Sequence, residues 1–177
     1  QAAFTLSCLQ SLEFEGEVSF EVVIVDNHST DDTGRLLERV EGATVLRNVE
    51  NTGFVKAVNQ AAGAARGDYL LLLNNDAVPR PGSLRNAVDT LESAADIAAV
   101  GGRLILPDGQ LQEAGSIIWT DGRCLGYGRG LPERSYEAMF RRDVDFCSAA
   151  FLLVKRIIFE ALGGFDEAFS PAYSEET

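Results

Sequence analysis

The sequence has few of the residues that build disulfide frameworks, zinc sites or histidine-based catalytic centres. Its 177 residues include three cysteines and one histidine. Cys8, Cys124 and Cys147 lie far apart and form no CxxC pair, which favours buried thiols in a reducing compartment over disulfides or zinc. The single histidine, His28, has no second imidazole with which to form a metal site.

Long apolar runs and positive charge are also scarce. The longest apolar segments, residues 69–73 and 146–154, are far shorter than the roughly 20 residues that span a bilayer. Lysine and arginine together number 15 against 27 aspartates and glutamates, which gives a net charge of −12. Such a surface repels nucleic acid, so we expect no nucleic-acid partner. A phosphate-bearing ligand would need a local cation, which a divalent metal would supply.

Short apolar runs followed by polar clusters dominate the first half of the chain. Residues 3–12 have the spacing of a helix, and three runs rich in branched residues are typical of buried strands. Strands without polar alternation, separated by amphipathic helices, predict an α/β fold with a mostly parallel sheet and helices on both faces. The strand runs are residues 20–25, 43–46 and 69–73. The first helix lies between the first polar cluster and Gly42, and the next two lie at residues 54–66 and near residues 82–94.

Polar residues cluster after each predicted strand, at residues 26–33, 48–53 and 74–76. Ligands of such sheets bind beyond the carboxyl ends of the strands, so these clusters predict the binding site. Within the first cluster, Ser29 or Thr30 is expected to cap the next helix.

The second half has a different pattern. Residues 107–110 predict a hairpin turn, residues 144–154 a strand and residues 155–162 a helix that ends at a pair of glycines. No linker separates the halves, so we expect one domain over residues 1–177.

Three segments resemble the large inverting glycosyltransferase family of GT-A fold often called family 2, and are nearest its rhamnosyltransferase-like branch of cell-surface polysaccharide synthesis. They cover somewhat under half of the chain in the family's order and rough spacing. The family starts one strand before Gln1 and continues past Thr177. The resemblance therefore implies a Rossmann-like GT-A fold truncated at both ends, and catalytically poor by itself. The segments are residues 22–33 (VVIVDNHSTDDT), 47–79 (RNVENTGFVKAVNQAAGAARGDYLLLLNNDAVP) and 145–177 (DFCSAAFLLVKRIIFEALGGFDEAFSPAYSEET).

The resemblance implies transfer of a sugar from a UDP-, GDP- or dTDP-sugar to a glycan or lipid-linked acceptor. A nucleotide-binding lobe would occupy about residues 1–100 and an acceptor-side lobe about residues 101–177. It also implies a cytoplasmic location, with peripheral association at the inner face of the plasma membrane through regions outside this sequence.

The metal of the resembled family would be Mg²⁺ or Mn²⁺, which neutralises the leaving diphosphate. Asp76 falls at the last position of the family's Asp-x-Asp, Asn74 replaces the first carboxylate, and Asn75 stands between them. One carboxylate is a sufficient metal ligand only if the diphosphate supplies most of the others. The alternative is that this tripeptide merely ends a strand.

The nucleotide donor would be bound by Asp26 and Asn27 after the first strand, and by Asn51, Gly53, Asn59 and Asn75 from the second segment. Two alternatives stay open: Asp26 could form only a local turn, and Asn59 could steady a loop.

The acceptor hydroxyl needs a general base. In the family this is the aspartate of a Glu-Asp pair after Gly-Gly-Phe-Asp-Glu, and here Glu176 takes that position, one methylene longer. Asp166 would tie down the loop after Gly163 and Gly164.

Two other classes of function fit parts of the pattern. A sugar-1-phosphate nucleotidyltransferase shares a Rossmann-like sheet, although the later segments do not fit that class. A non-catalytic nucleotide- or glycan-binding module would accommodate Asn74 and Glu176 in place of the usual acids.

Overall fold

The computed structural model describes residues 1–170, in which helices and strands alternate through the first half. None of the helices in this range is long and apolar enough to cross a membrane. The helices are α1 (Ala2–Leu12), α2 (Thr33–Leu37), α3 (Phe54–Ala64), α4 (Ser83–Glu92) and α5 (Arg156–Ala161). The strands are β1 (Val22–Asp26), β2 (Ala43–Arg47), β3 (Tyr69–Leu73), β4 (Ala99–Gly101), β5 (Leu104–Ile105), β6 (Leu111–Glu113), β7 (Ser116–Ile118), β8 (Cys124–Gly126) and β9 (Phe151–Lys155). Two 3₁₀ turns cover Tyr136–Ala138 and Glu167–Phe169.

The strands pair in both directions. β1 pairs with β2 in parallel, as the α/β pattern predicts. β9 lies between β3 and β4 and is antiparallel to both. β5–β6 and β7–β8 are antiparallel hairpins, the first across the turn predicted at residues 107–110. Antiparallel pairs thus outnumber the parallel pair in residues 1–170, because β9 inserts between β3 and β4 and the second half adds two hairpins.

Helices cover both faces of the β3–β9–β4 sheet, as predicted. Leu70 and Val154 lie opposite each other in the register and pack with Phe159 of α5. The next pair, Leu71 and Leu153, faces the apolar side of α4. Successive side chains of a strand point to opposite faces, so one strand pair serves both layers. Burial of these leucines on two sides explains why the strand runs lack polar alternation.

Cys124, predicted to be a buried thiol, is exposed. Two predictions about the ends of elements were also wrong. Ser29 and Thr30 do not cap α2, whose N-cap is Asp32, while the Oδ1 atom of Asp31 accepts the Thr33 N–H at 3.0 Å. The strand predicted to begin at residue 144 begins at Phe151. Both errors concern element ends, where side-chain hydrogen bonds rather than apolar periodicity decide the boundary.

Candidate functional site

The loop after β1 is shaped by Asp26, whose carboxylate is 9% exposed. Its Oδ1 atom accepts the Ser29 N–H at 2.9 Å, which closes a turn directly after the strand. His28 lies inside this turn with φ of +68°. Non-glycine residues rarely adopt that left-handed region, so the hydrogen bond to Asp26 holds a tight reversal. The local-turn role considered for Asp26 is therefore present.

Asn27 holds the loop after β1 against the loop after β2. Its Nδ2 atom donates to Asn51 Oδ1 at 2.9 Å and to the Gly53 carbonyl at 3.2 Å. Its Oδ1 atom accepts from the Thr52 N–H at 3.0 Å and from Asn48 Nδ2 at 3.1 Å. The Nδ2 and Oδ1 atoms of Asn27 thus both bind the loop after β2, which lies about 25 residues further along the chain.

Gly53 is the N-cap of α3 and has a backbone conformation that other residues avoid. Its φ is +83° and its ψ is 170°, and its N–H donates to Asn51 Oδ1 at 2.9 Å. Of the six residues predicted to bind the nucleotide, Asn27, Asn51 and Gly53 are therefore in mutual contact. Sequence reasoning missed Asn48 and Thr52, although both stand in the same polar cluster, NVENTG.

The tip that follows β3 rests on α1. Asn75 donates from Nδ2 to Thr5 Oγ1 at 3.0 Å, and the Cys8 thiol lies 3.7 Å from the Asn74 carbonyl. Burial and, secondarily, the Asp76 carboxylate raise the pKa of the Cys8 thiol to about 11. Asp76 itself is exposed. Its charge therefore acts on the buried thiol while its carboxylate stays accessible to a ligand.

The first turns of α1 contact two of the three strand-end loops. The Ala2 N–H donates to Asp31 Oδ2 at 3.1 Å, in the loop after β1. Thr5, which receives Asn75, is one helical turn later, an axial rise of about 4.5 Å. The loop after β1 and the tip after β3 are thereby held on the same part of the molecule.

Asp76 is an accessible carboxylate at this edge and could serve as a metal ligand. Within residues 1–170 no group of three or more His, Cys, Asp or Glu side chains could hold an ion by itself. The donor set still suits Mg²⁺, which proteins often bind through one or two carboxylates together with substrate phosphates. One exposed carboxylate would fit a metal site that a phosphate-bearing ligand completes, and not a closed protein cage.

Asn59 is not part of this cluster. The side-chain amide of Asn59 is engaged at both ends by the backbone of Phe165. Glu176, the predicted base, lies outside the described residues. Asp166 accepts the Ala168 N–H at 2.8 Å and caps the 3₁₀ turn Glu167–Phe169, as expected of a residue that ties down this loop.

An ion pair also joins the segment after the β3 tip to the second half of the chain. Arg80, shortly after the tip, lies 2.6 Å from Glu133 Oε2, and Arg103 donates to the Glu133 carbonyl at 2.8 Å. Arg80 foremost holds the pKa of the Glu133 carboxyl below its usual range.

The guanidinium of Arg142 lies 3.8 Å from the ring centre of Tyr127. That ring face is therefore covered by a cation.

Comparison with known proteins decides the family. The profile described as glycosyl transferase family 2 matches residues 2–163, which is most of the chain. The chain belongs to this family. The predicted glycosyltransferase identity is thereby confirmed, and the nucleotidyltransferase alternative loses its support.

The relatives of this family 2 chain include an O-antigen biosynthesis protein and a rhamnosyltransferase. The O-antigen biosynthesis protein RfbC of Myxococcus xanthus is 32% identical over 164 residues, which cover 88% of this chain and 13% of that protein. The N-acetylglucosaminyl-diphospho-decaprenol L-rhamnosyltransferase of Mycobacterium tuberculosis is 28% identical over 185 residues, covering 91% of this chain and 60% of the enzyme. The chain thus spans less than two thirds of either relative.

The fold of this family 2 chain also matches solved structures. The mannosyltransferase PcManGT of Pyrobaculum calidifontis, solved with GDP-mannose and Mn²⁺, superposes with a TM-score of 0.66 at 21% identity. The match covers 94% of this chain and 44% of that one. This likeness, together with the family, confirms the α/β, Rossmann-like GT-A fold class.

Proposed function

We propose that this chain provides the donor-binding part of an inverting, metal-assisted glycosyltransferase in cell-surface polysaccharide synthesis. It would transfer a sugar from a nucleotide-diphosphate donor to a glycan or lipid-linked acceptor. In this proposal residues 1–177 form one domain, with donor binding in about residues 1–100 and the acceptor side in about residues 101–177. The protein would act in the cytoplasm or at the inner face of the plasma membrane.

The observation that carries the donor assignment is the assembly of the strand-end loops. Asn27 joins the loop after β1 to the loop after β2, and α1 joins the loop after β1 to the β3 tip. Sheets of this class bind ligands beyond the carboxyl ends of their strands. In our proposal Asp26, Asn27 and Asn51 contact the nucleotide, and Gly53 lets the backbone approach it.

The diphosphate would lie at the β3 tip, with Asp76 and Asn75 beside it. The chain has a net charge of −12, so a phosphate ligand gains from a cation placed between the carboxylate and the phosphates. Mg²⁺ or Mn²⁺ bound to Asp76 would stabilise the charge that develops on the leaving diphosphate. The structural relative with GDP-mannose and Mn²⁺ supports this expectation, because its fold is shared.

Inversion requires direct attack by the acceptor hydroxyl, whose proton passes to a general base. We assign that base to Glu176 on the family position alone. A lipid-linked acceptor is supported by the mycobacterial relative, whose name specifies a diphospho-decaprenol substrate. The presence of RfbC among the relatives supports a role in surface polysaccharide synthesis.

Calorimetry with UDP, GDP and dTDP, each with Mn²⁺ and then with EDTA, tests the donor site. We expect one nucleotide to bind, and EDTA or Asp76→Ala to weaken that binding at least about tenfold, because a metal ligand is lost. Asp96→Ala is the matched control, since Asp96 is an exposed aspartate after α4. Metal-independent binding that Asp76→Ala leaves intact would remove the assigned metal site.

Turnover separates an enzyme from a non-catalytic module. Release of the nucleoside diphosphate from the matching nucleotide sugar is measured for the wild type and for Glu176→Gln. We expect Glu176→Gln to retain nucleotide binding and to lose turnover, because the amide cannot accept the proton. Binding without any turnover, also in a version extended beyond Gln1 and Thr177, would favour the non-catalytic alternative. Preserved turnover in Glu176→Gln would refute the base assignment.

A further inference from the structure

Asn59 makes a paired hydrogen bond with a single backbone unit far along the chain. Its Nδ2 atom donates to the Phe165 carbonyl at 2.8 Å, and its Oδ1 atom accepts the Phe165 N–H at 2.9 Å. A backbone N–H only donates and a carbonyl only accepts, so the chemistry of the partner fixes the orientation of the amide. The pair joins residues 106 positions apart.

The surroundings of this pair are closely packed. The Phe165 ring lies 5.4 Å from that of Phe159 in an edge-to-face arrangement and 6.3 Å from that of Phe54. Gly164 has φ of +79°, and a Cβ atom built on it would lie 2.6 Å from Asn59 Oδ1. Such a distance is too short for a real contact, so the amide approaches the backbone only because position 164 is glycine.

Helix α3 carries both this contact and the edge of the proposed donor site. It begins after Gly53, whose carbonyl accepts from Asn27 Nδ2 at 3.2 Å. Asn59 follows Gly53 by six residues, an axial rise of about 9 Å. Residues 163–170, which Asn59 holds, precede the predicted base Glu176 in the sequence. One helix thus links the donor-side loops to the acceptor-side segment.

We propose that Asn59 is a positioning residue that holds residues 163–170 against α3, so that the acceptor side is placed correctly relative to the bound donor. This inference rests on the proposed function and gives Asn59 a role other than nucleotide contact. Both polar atoms of the amide already hydrogen-bond to Phe165, which holds the side chain against that segment. Loss of the pair should disturb the chemical step and leave donor binding intact.

The test compares Asn59→Ala and Asn59→Asp with Asn86→Ala, an exposed asparagine of α4. Asn59→Asp keeps the acceptor for the Phe165 N–H but places a second oxygen against the Phe165 carbonyl. We expect faster hydrogen exchange in residues 163–170 for both Asn59 variants and no change for Asn86→Ala. Exchange reports the contact itself, whatever the protein's activity.

The functional arm separates kcat from binding. Calorimetry with the nucleoside diphosphate that binds the wild type, in the presence of Mn²⁺, should give an unchanged stoichiometry and a Kd within about twofold. The kcat for nucleoside diphosphate release, measured in the version extended beyond Gln1 and Thr177, should fall about 10- to 100-fold, as expected when reacting groups are misplaced by about 1 Å. The unchanged stoichiometry excludes a merely smaller folded fraction.

Three outcomes would overturn the inference, and they are distinguishable. Unchanged exchange in residues 163–170 would show that the pair does not hold this segment. Changed exchange with an unchanged kcat would show that the segment does not matter to the chemical step. If nucleotide binding weakened enough to account for the entire loss of activity, Asn59 would be a ligand contact and not a positioning residue. If the wild type binds none of the nucleotides, the proposed function fails first, and this inference fails with it.

Discussion

Removal of the Glu15 carboxylate should destabilise the fold through a helix that lies far away in the sequence. Glu15 follows α1 and is 3% exposed. Its two oxygens accept the N–H groups of Ser83 at 3.1 Å and Leu84 at 3.2 Å, the first residues of α4. The N-cap of α4 is Gly82, which has no side chain with which to cap the helix. Glu15 therefore performs the capping from a distance.

The magnitude follows from the groups that lose a partner. Loss of an ordinary N-cap side chain costs about 1 kcal/mol. Here two N–H groups lose a charged acceptor, and bonds to charged groups contribute about 1.5–3 kcal/mol each, part of which water recovers. We therefore expect Glu15→Ala to lower the free energy of unfolding by about 2–3 kcal/mol. For a chain of this size the melting temperature should fall by about 4–12 °C.

Thermal and urea unfolding followed by circular dichroism measure this loss. Glu13→Ala is the control, because Glu13 stands two positions earlier and is exposed, so it should change stability by less than about 0.5 kcal/mol. Glu15→Gln keeps one full acceptor and should fall between the wild type and Glu15→Ala. Equal effects of Glu13→Ala and Glu15→Ala would refute the capping argument.

Two further predictions concern the candidate site. Gly53→Ala should lower the free energy of unfolding by about 1–3 kcal/mol, because φ of +83° with ψ of 170° is essentially restricted to glycine. Gly63→Ala, inside the same helix with open space around it, should raise the free energy of unfolding by about 0.5–1 kcal/mol. Equal urea midpoints for the two variants would contradict this prediction. In a Cys124→Ser, Cys147→Ser background, thiolate absorbance should titrate near the pKa of about 11 for Cys8, and Asp76→Asn should lower that pKa while burial keeps it above 9.0. Since the folded-state pKa is the raised one, the neutral thiol favours the folded state, and this contribution is lost as pH rises from 9.0 towards about 11. An unchanged Cys8 pKa in Asp76→Asn would show that the Asp76 charge does not act on the thiol.

Local features of the fold were predictable from the sequence because they depend on neighbouring residues. The run YLLLL identifies β3, and the polar residues after it identify the tip. The NVENTG cluster identifies a loop, and glycine at position 53 indicates an unusual backbone. Apolar periodicity and turn chemistry act over a few residues, so they place elements without assigning their partners.

Contacts between distant residues were not predictable in this way. The asparagine at position 59 looks the same whether it binds a nucleotide or the Phe165 backbone, which lies 106 positions later. Glu15 looks like a surface acid, although it caps a helix 68 positions later. The antiparallel insertion of β9 beside β3 likewise depends on packing in three dimensions. Each of these features needs a partner that no local pattern names.

The two sets of ties around the candidate site differ in their chemistry. Asn27 and Asn59 hold their loops through neutral amides, whereas Arg80 reaches Glu133 through an ion pair whose side chains are 63% and 29% exposed. Exposed charges are screened over about 8 Å at physiological ionic strength and over about 3 Å at 1 M salt. Concentrated salt should therefore weaken the contact between Arg80 and Glu133 while the amide hydrogen bonds persist. Ionic strength should consequently affect the segment after the β3 tip more than the loops that Asn27 and Asn59 hold.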